Sequence, residues 1–484
     1  MKLQKNKIKK IQILALLLII SFNSVLAQEV TLTGNEPDYK GDEITFSVYT
    51  DLISQQETEL CSTKVQENGN FKCTFSIDET RKVFTKLGVY RAYLFVEPGK
   101  TYNIALPQKQ EKTKSQKLNP YFSNYPYHIG IKNEANHNLN AHIYNFFKEY
   151  NHFCNKNARN LDNTRHKTDS VLSSLDQFTN YSDPFYNVLK KYKTEGLKLK
   201  LYGNSVQLKK ELFNDTSIYY HNPAYRELFN TTFQDYFKDF AARHGFLIHH
   251  VIETNKNISK IDSIIKKDTL LKDNPRLREL VILKGLHDLF YADKLPKKAI
   301  IATIDSFANW TDNSYHRKIA QNIKRKITKL LVGYEAPGFC LYDRDSNKVC
   351  LNDLKGEYVY LGFCNKLNYT CLKNYKILKN LHKKHKQHFR IVTISTADSF
   401  EKMKAFANQK EYNWTFLHWG NNQNVLKKYN IKTMPTYYFI NPDGKLRLSP
   451  APKPNEDIEQ KTYKILKKNG ALQKKQEKNS LFGP

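Results

Sequence analysis

Glycine and proline are scarce in this chain of 484 residues, which holds 18 glycines and 16 prolines. So small a share excludes a collagen-like chain and a low-complexity linker. After the first 27 residues, no segment holds about 18 uninterrupted apolar residues, so we expect no membrane-spanning helix in that part of the chain. Aromatic residues are abundant in contrast, and 31 tyrosines with 28 phenylalanines exclude a wholly disordered chain. The length suggests about three domains.

Arginine is also scarce, since only 13 of the 77 basic residues are arginines, although the formal net charge is +30. Proteins that read bases or phosphates favour arginine, whose planar guanidinium makes paired hydrogen bonds. The lysines here are spread over every segment, so we expect a solvated basic surface and no nucleic-acid partner. Binding of an anionic polymer is the weaker alternative. The sequence contains no glycine-rich phosphate loop, Walker-type motif or Gly-x-Ser-x-Gly elbow.

The first 27 residues have the pattern of a secretory signal peptide. Five lysines lie in residues 1–10, an apolar stretch follows in 11–20, and a small-x-small pattern ends at Ala27. The residue directly after Ala27 is a glutamine and not a cysteine, so a lipid-modified N-terminus is not indicated. An uncleaved membrane anchor is the alternative, but a spanning helix needs ~20 apolar residues. We expect an exported protein of the periplasm or cell envelope of a Gram-negative-type bacterium, where cysteines meet an oxidising compartment.

Residues 28–107 predict an antiparallel β-sandwich-like domain. The segment 44–49 alternates polar and apolar residues, and Asn68-Gly69 separates two further strand-like runs. Asn-Gly is a strong signal for a tight hairpin. Cys61 and Cys73 would lie on the two arms of this hairpin but two positions out of register. A disulfide between them is possible, but it is less favoured than a disulfide between Cys340 and Cys350, which is considered below.

The middle of the chain predicts a linker followed by an all-helical region. Residues 108–138 begin with a polar stretch rich in lysine and glutamine, which is typical of a linker. In residues 139–331 the apolar period becomes helical. We assign the clearest aromatic stripe to one helix that packs into a bundle core; it comprises Tyr225, Leu228, Phe229, Phe233, Tyr236, Phe237 and Phe240. His249 and His250 have no carboxylate or cysteine at metal-ligand spacing, and we assign them no role.

Residues 332–468 alternate strand-like and helical patterns, which indicates an α/β domain. A near-continuous apolar run at 357–363 is typical of a strand covered on both faces. Apolar residues at helical spacing follow in 372–385. Residues 469–484 are rich in lysine and glutamine and predict a flexible tail.

Four short stretches of this domain follow a known pattern: Ala336-Pro337-Gly338-Phe339, Leu351-Asn352-Asp353-Leu354-Lys355-Gly356, Tyr358-Val359-Tyr360-Leu361-Gly362-Phe363 and Lys432-Thr433-Met434-Pro435-Thr436. They resemble the thioredoxin fold of the envelope thiol-disulfide reductases of the TlpA/ResA-like group. The β domain and the helical region resemble, more weakly, the segments that often precede such domains. The whole chain is thus expected to be a multidomain α+β protein that ends in an α/β thioredoxin-like domain.

In that family a Trp-Cys-x-x-Cys motif opens the helix after the central strand, and the resemblance implies a role for each cysteine. The first attacks a substrate disulfide, helped by the helix N-terminus, and the second resolves the mixed disulfide. In this chain the motif falls on Asn368-Tyr369-Thr370-Cys371, so the resolving cysteine is kept and the attacking one is replaced. Leu367 stands at the tryptophan position, and Asn374 and Lys376 replace a glutamate and a proline of the family.

The asparagine removes the nucleophile. It cannot attack sulfur, but it is among the best N-cap residues, which stabilise a helix by ~1 kcal/mol over alanine. We expect Cys371 to lie shielded one turn inside the helix, with a normal or raised pKa because burial disfavours the thiolate. The sequence therefore predicts a polypeptide-binding or accessory module that lacks the usual two-thiol exchange.

Two further cysteine pairs are candidates for a bond. Cys364 ends the central strand and could form a dithiol with Cys371 if their Cα atoms lie within ~7 Å. The alternative function follows from it: a thiol-disulfide oxidoreductase of cell-envelope redox homeostasis, which uses Cys371 with Cys364 or with a partner's thiol. Cys340 and Cys350 would face each other across a short hairpin, which favours a structural disulfide. Seven cysteines leave at least one unpaired.

The stretch Met434-Pro435-Thr436 is the second landmark of the resemblance. It implies a cis-proline loop that faces the motif and holds the backbone of a bound substrate. Retention of the loop for peptide binding and retention for folding alone are both open at this point. We expect extended or cysteine-containing envelope polypeptides as partners, and neither a metal nor another cofactor.

Overall fold

The computed structural model describes residues 27–113, 115–116, 119, 121–132, 138–163, 181–202, 206–213, 217–292, 294–365, 367–397, 399–420 and 423–468. The predicted signal peptide, apart from its last residue, and the predicted tail 469–484 lie outside these residues. The chain divides into two units, 1–112 with 123–323 and 113–122 with 324–484. Among the described residues, no helix combines the length and hydropathy that a membrane crossing requires.

Two β-sheets with a shared apolar core form the N-terminal part of the first unit. One sheet has the order β4-β1-β7-β9, with β1 Gln28–Asn35, β4 Asn70–Ile77, β7 Thr101–Ala105 and β9 Gly130–Ile131. The other has the order β3-β2-β5-β6-β8, with β2 Glu43–Tyr49, β3 Glu57–Lys64, β5 Arg81–Leu87, β6 Tyr90–Val96 and β8 Tyr125–His128. The pairs β1–β7 and β6–β8 are parallel, so the predicted sandwich is not purely antiparallel.

The runs on either side of Asn68-Gly69 do not pair as a hairpin. They are β3 and β4, which belong to different sheets, so the turn is a corner between the sheets. Cys61 and Cys73 form a disulfide with Cα atoms 6.0 Å apart. The prediction that this disulfide is less favoured was wrong, because it assumed that both cysteines lie in one sheet. The bond instead joins one sheet to the other.

The stretch 108–138 is more than a linker. It contributes β8 to the edge of one sheet and β9 to the edge of the other. Both strands are short, and Tyr125–His128 is exposed along most of its length. A four-residue strand without apolar alternation gives no periodic signal, which is why the sequence did not indicate it.

The rest of the first unit is helical, as predicted. The helices are α1 Leu139–Asn163, α2 Pro184–Tyr202, α3 Val206–Phe213, α4 Pro223–Thr232, α5 Tyr236–His244, α6 Leu247–Thr254, α7 Ile258–Ile265, α8 Pro275–Ala292, α9 Lys297–Trp310 and α10 Ser314–Thr328. The aromatic stripe is buried throughout, so its assignment to the core is confirmed.

The stripe spans two helices rather than the one that was predicted. The chain leaves α4 and re-enters α5 through Asp235, whose φ of +52° is left-handed. The backbone N–H of Asp235 donates to the Asp288 carboxylate at 3.1 Å, and this bond holds the turn. Because the apolar spacing continues across the turn, the sequence pattern alone cannot reveal the break.

Buried polar contacts join the β-sheets to the helices within the first unit. The carboxylate of Asp51, which follows β2, accepts from the backbone N–H of Ile53 and from Asn322 on α10, both at 2.9 Å. The Asn140 side chain on α1 donates to the carbonyl of Phe95 and accepts from its N–H, each at 2.8 Å. Such contacts satisfy backbone groups that burial would otherwise leave unpaired.

The second unit contains a seven-stranded sheet with the order β11-β10-β14-β13-β12-β15-β16. Its strands are β10 Cys340–Asp343, β11 Lys348–Cys350, β12 Val359–Cys364, β13 Arg390–Ser395, β14 Thr415–His418, β15 Thr436–Ile440 and β16 Leu446–Ala451. Its helices are α11 Tyr369–His385, α12 Phe400–Gln409, α13 Gln423–Lys428 and α14 Ile458–Lys468. The pairs β12–β13 and β13–β14 are parallel, and the other pairs are antiparallel.

The central strand β12 is buried on both faces, as its apolar run predicted. Tyr360 and Cys364 point into one apolar core, and Leu361 and Phe363 into the other. This mixed sheet with helices confirms the predicted thioredoxin-like fold. At the edge of the sheet Cys340 and Cys350 are register partners and form the predicted disulfide, with Cα atoms 4.0 Å apart.

Candidate functional site

The site lies where β12 ends and α11 begins. Asn365, the first residue after β12, is buried, and its side-chain amide donates to the Thr396 carbonyl at 2.9 Å and to the Thr396 hydroxyl at 3.0 Å. Its carbonyl oxygen Oδ1 accepts from the N–H of Leu367 at 2.8 Å. Asn365 therefore fixes the turn that leads into the motif.

Asn368 is the N-cap of α11, as predicted. Its Oδ1 accepts from the backbone N–H of Cys371 at 3.1 Å. Its Nδ2 donates to the backbone carbonyl of Met434 at 3.0 Å. Both polar atoms of the side chain are therefore engaged, one by the helix and one by the loop before β15.

The loop that faces the motif is the predicted cis-proline loop, since the Met434–Pro435 peptide is cis. Pro435 is buried, whereas Met434 and Thr436 are half-buried. The hydroxyl of Thr396 donates to the Met434 sulfur at 3.4 Å, and the hydroxyl of Thr436 donates to the Thr433 carbonyl at 2.6 Å. The structure thus brings together the two stretches that the resemblance singled out.

Cys371, the last residue of the motif, and Cys364, the last residue of β12, are both buried, with 0% and 1% of their surface exposed. Both are free thiols in the described structure. The neighbouring Cys364 thiol and the Asn365 backbone lower the pKa of Cys371 and outweigh its burial. Burial raises the pKa of Cys364, and the neighbouring Cys371 raises it further. The expectation of a normal or raised pKa for Cys371 was wrong, because it considered burial alone and not these two neighbours.

A phenol lies against the Cys364 thiol, and an amide bonds that phenol. The Tyr437 hydroxyl lies 3.7 Å from Cys364 Sγ, and Asn374 Nδ2 donates to the same hydroxyl at 3.3 Å. Asn374 is buried at the position where the resemblance places a glutamate. An amide cannot accept and return a proton as a carboxylate can. In the part of the chain that the structure describes, no group of three His, Cys, Asp or Glu residues could hold a metal ion.

The outer surface of the motif is apolar and open to solvent. Leu367 is 75% exposed and Tyr369 is 69% exposed. The ammonium of Lys373 lies 4.6 Å from the centre of the Tyr369 ring, and Thr370 between them in sequence is exposed as well. The arrangement can contact an extended chain, but both of its thiols lie below the surface.

Sequence reasoning missed the supporting residues of the site. Asn365, Thr396 and Tyr437 belong to three different strand ends or loops, and no motif marks them. Asn365 carried a weak signal, because it is an asparagine in a strand-to-helix turn, where a short polar side chain can bond the local backbone.

Comparison with known proteins gives one family and several relatives for this part of the chain. The AhpC/TSA family matches residues 332–449. The thiol-disulfide oxidoreductase ResA of Bacillus subtilis (strain 168) is 32% identical over 116 residues, which are 24% of this chain and 64% of that protein. ResA of Bacillus thuringiensis (strain Al Hakam) is 30% identical over 120 residues, which are 24% of this chain and 68% of that protein.

Solved structures match as well. The thioredoxin domain of a thiol-disulfide oxidoreductase from Bacteroides vulgatus is 26% identical; the match covers 28% of this chain and 98% of that one, with a TM-score of 0.27. Of the two ResA relatives named above, this chain covers 64% and 68% of the length. The first 331 residues lie outside the AhpC/TSA match.

Proposed function

The chain belongs to the family of ResA-like thiol-disulfide oxidoreductases. We propose that its thioredoxin-like domain binds extended polypeptides without Cys-x-x-Cys exchange. The observation that carries the proposal is the double engagement of Asn368. The side chain at the nucleophile position caps α11 and bonds the cis-proline loop, so nothing there can attack a disulfide.

The surface around the motif supports binding of a polypeptide. Leu367 and Tyr369 offer exposed apolar contacts on either side of Asn368, which bonds the backbone of the half-buried Met434. Exposed aromatic and aliphatic side chains at one place on a surface mark interaction sites. An extended or cysteine-containing polypeptide would lie across these residues, and the domain would act as an accessory module.

The disulfides support an exported location. Cys61–Cys73 and Cys340–Cys350 are bonded, and such bonds persist in oxidising compartments outside the cytoplasm. Together with the predicted signal peptide, they are the basis for proposing the periplasm or cell envelope.

The rate of insulin reduction by dithiothreitol, measured with and without the protein, tests whether the chain catalyses disulfide exchange. We expect the wild-type chain to stay at the uncatalysed rate and the Cys371→Ser variant to behave in the same way. A wild-type rate above background that the Cys371→Ser variant loses would overturn the proposal.

Binding is tested with a fluorescein-labelled, carboxymethylated insulin B chain, which is extended and cannot form disulfides. Replacing Leu367 and Tyr369 together by serine should weaken its binding about tenfold, because two apolar contacts are lost. The matched control is Tyr463→Ser on α14, where another tyrosine is 53% exposed. Equal loss in both variants would mean that the motif surface is not the binding site.

The second candidate is the thiol-disulfide oxidoreductase that uses Cys371 and Cys364. The observation in its favour is that the two free thiols are neighbours and that Cys364 lowers the pKa of Cys371. Their burial opposes it, since a protein disulfide would have to reach sulfurs that are nearly unexposed. Loss of insulin reduction in both Cys364→Ser and Cys371→Ser would favour this candidate.

A further inference from the structure

In the first unit, the sheet with the order β3-β2-β5-β6-β8 carries aromatic side chains on the face opposite its apolar core. Alternate residues of β2, β5 and β6 pack into that core, and the residues between them include Tyr49, Phe84, Tyr93 and Phe95. The ring centres of Tyr49 and Phe84 lie 5.2 Å apart. Those of Tyr93 and Phe95 lie 6.3 Å apart, and Phe84 is the register partner of Tyr93. The four rings therefore form one continuous surface, the aromatic floor.

Three basic side chains lie over the aromatic floor, which are Lys82 of β5, Arg91 of β6 and Arg226 of α4. The ammonium of Lys82 is 3.7 Å from the centre of the Tyr93 ring. The guanidinium carbons of Arg91 and Arg226 lie 5.0 Å and 4.6 Å from the centre of the Tyr49 ring, so these two groups are neighbours. The negative face of an aromatic ring attracts cations. The floor thus gathers positive charges from two strands and a helix.

Carboxylates neutralise only part of this charge. Glu57 bonds Arg91 at 3.1 Å, and it also bonds Lys86. Lys82 and Arg226, in contrast, make no hydrogen bond or ion pair within the part of the chain that the structure describes. Both side chains are half-buried, and none of their nitrogen atoms is among the fully buried atoms that lack a partner. Their donors are therefore open to a ligand from solution.

The two unpaired cations are close to each other and are destabilised by their surroundings. Burial, followed by the charges of Arg226 and Arg91, lowers the pKa of Lys82 to about 8. Because Arg226 has the strongest effect of any charged group on Lys82, the two cations are near neighbours. Burial also lowers the pKa of Arg226. Lys193 of α2, which acts on Lys82 more weakly, is paired with Glu227 at 2.8 Å. An anion held between Lys82 and Arg226 would offset the cost of burying both charges.

We propose that Lys82 and Arg226 together bind a doubly charged oxyanion, a phosphate or sulfate group, above the aromatic floor. A guanidinium group can donate two parallel hydrogen bonds to two oxygens of such an ion, and the ammonium supplies a further donor. The two unpaired positive charges match the charge of the ion. The cations already cover the ring faces, so charge and hydrogen bonds hold the ligand rather than apolar contact.

Isothermal titration calorimetry of the full-length chain with sodium phosphate and sodium sulfate tests the proposal, with ionic strength matched by sodium chloride. We expect both ions to bind. Lys82→Gln and Arg226→Gln should each weaken binding about tenfold, because each removes a charged donor. The matched control is Lys191→Gln on α2, since this exposed lysine also lies over a ring, 5.5 Å from the centre of Tyr192. The control should keep the wild-type affinity.

Glycerol 3-phosphate distinguishes two sources of the phosphate group. Tighter binding of this ester than of inorganic phosphate would support a site for a phosphate carried by a larger molecule. Equal or weaker binding of the ester, with inorganic phosphate still bound, would support a site for the free ion.

Reductive methylation of the wild-type chain, mapped by peptide mass spectrometry, gives a readout that does not depend on the folding of a variant. Phosphate should slow the methylation of Lys82 and leave that of Lys191 unchanged. Circular dichroism confirms that each variant is folded. Absence of phosphate and sulfate binding, or equal methylation of Lys82 with and without phosphate, would overturn the proposal. Unchanged affinity in folded Lys82→Gln and Arg226→Gln variants would overturn it as well.

Discussion

The side-chain amide of Asn368 donates a hydrogen bond of 3.0 Å to the backbone carbonyl of Met434, 66 residues further along the chain. In a family whose catalysis needs a sulfur at that position, an amide instead ties the helix to the cis-proline loop. The same side chain caps the helix, so one residue has two structural contacts and no nucleophilic atom.

Asn368→Cys should restore exchange chemistry. The change creates a Cys-x-x-Cys pair with Cys371 at the start of α11, where the free N–H groups of the helix favour a thiolate. We expect the rate of insulin reduction to rise on the order of tenfold or more above the wild type. Asn368→Ser is the control, because serine keeps the N-cap without a thiol. A rate that stays at background in a folded Asn368→Cys variant would contradict the conclusion that Asn368 stands where the attacking cysteine is needed.

Asn368→Ala should destabilise the second unit by more than the loss of an ordinary cap. Removal of an N-cap costs about 1 kcal/mol, and the lost bond to Met434 adds about 1 kcal/mol. The matched control is Ser399→Ala, which removes the cap bond to Lys402 on α12. Urea unfolding, monitored by hydrogen-exchange mass spectrometry of α11, measures the loss of stability in both variants. Equal losses of stability would mean that the contact with Met434 contributes nothing.

Alkylation should count three free thiols. In denaturant without reductant, iodoacetamide is expected to label Cys154, Cys364 and Cys371, while the four bonded cysteines resist. In the native protein only Cys154 should react readily, because the other two are buried. Intact-mass analysis gives the counts. A single label in denaturant would show that Cys364 and Cys371 are bonded to each other, and five or more labels would show that a structural disulfide is missing.

Acid should destabilise the first unit through His128. Burial lowers the pKa of this β8 residue to about 4, helped by the charge of Lys82. The unfolded chain binds the proton near pH 6.5, so stability is full above that pH and falls as the pH drops toward 4. The loss amounts to about 3 kcal/mol at most.

His128→Phe should flatten this acid limb, because phenylalanine can keep the ring contact with Tyr93, whose centre lies 5.4 Å away. The exposed His250→Phe change serves as the control. Thermal unfolding between pH 4 and pH 7 provides the comparison. An unchanged pH dependence in His128→Phe would show that another group controls the acid response.

The patterns within residues 332–468 predicted most of the C-terminal fold. The apolar run at 357–363 and the helical spacing at 372–385 are local, and both became the expected elements. Cys340 and Cys350 are ten residues apart across one short hairpin, so spacing alone placed them opposite each other. Local periodicity is informative wherever the partners are close in sequence.

Relations between distant residues could not be read in the same way. Nothing in the spacing of Asn368 and Met434 indicates their hydrogen bond, although the resemblance placed the two stretches face to face. The acidity of Cys371 depends on its neighbours Cys364 and Asn365, whose orientation the fold sets. The division of β3 and β4 between two sheets likewise depends on long-range pairing. Such pairings are decided by the whole core rather than by local propensity.

The Cys340–Cys350 bond also bears on self-association. It holds β11, the last strand on one side of the seven-stranded sheet, and this strand is only three residues long and begins at the exposed Lys348. On the opposite side β16 carries Pro450, which has no N–H to offer a further strand. Short length, a lysine and a proline are the devices by which proteins prevent edge-to-edge aggregation. Both margins of the sheet are thus protected against adding a strand from another molecule.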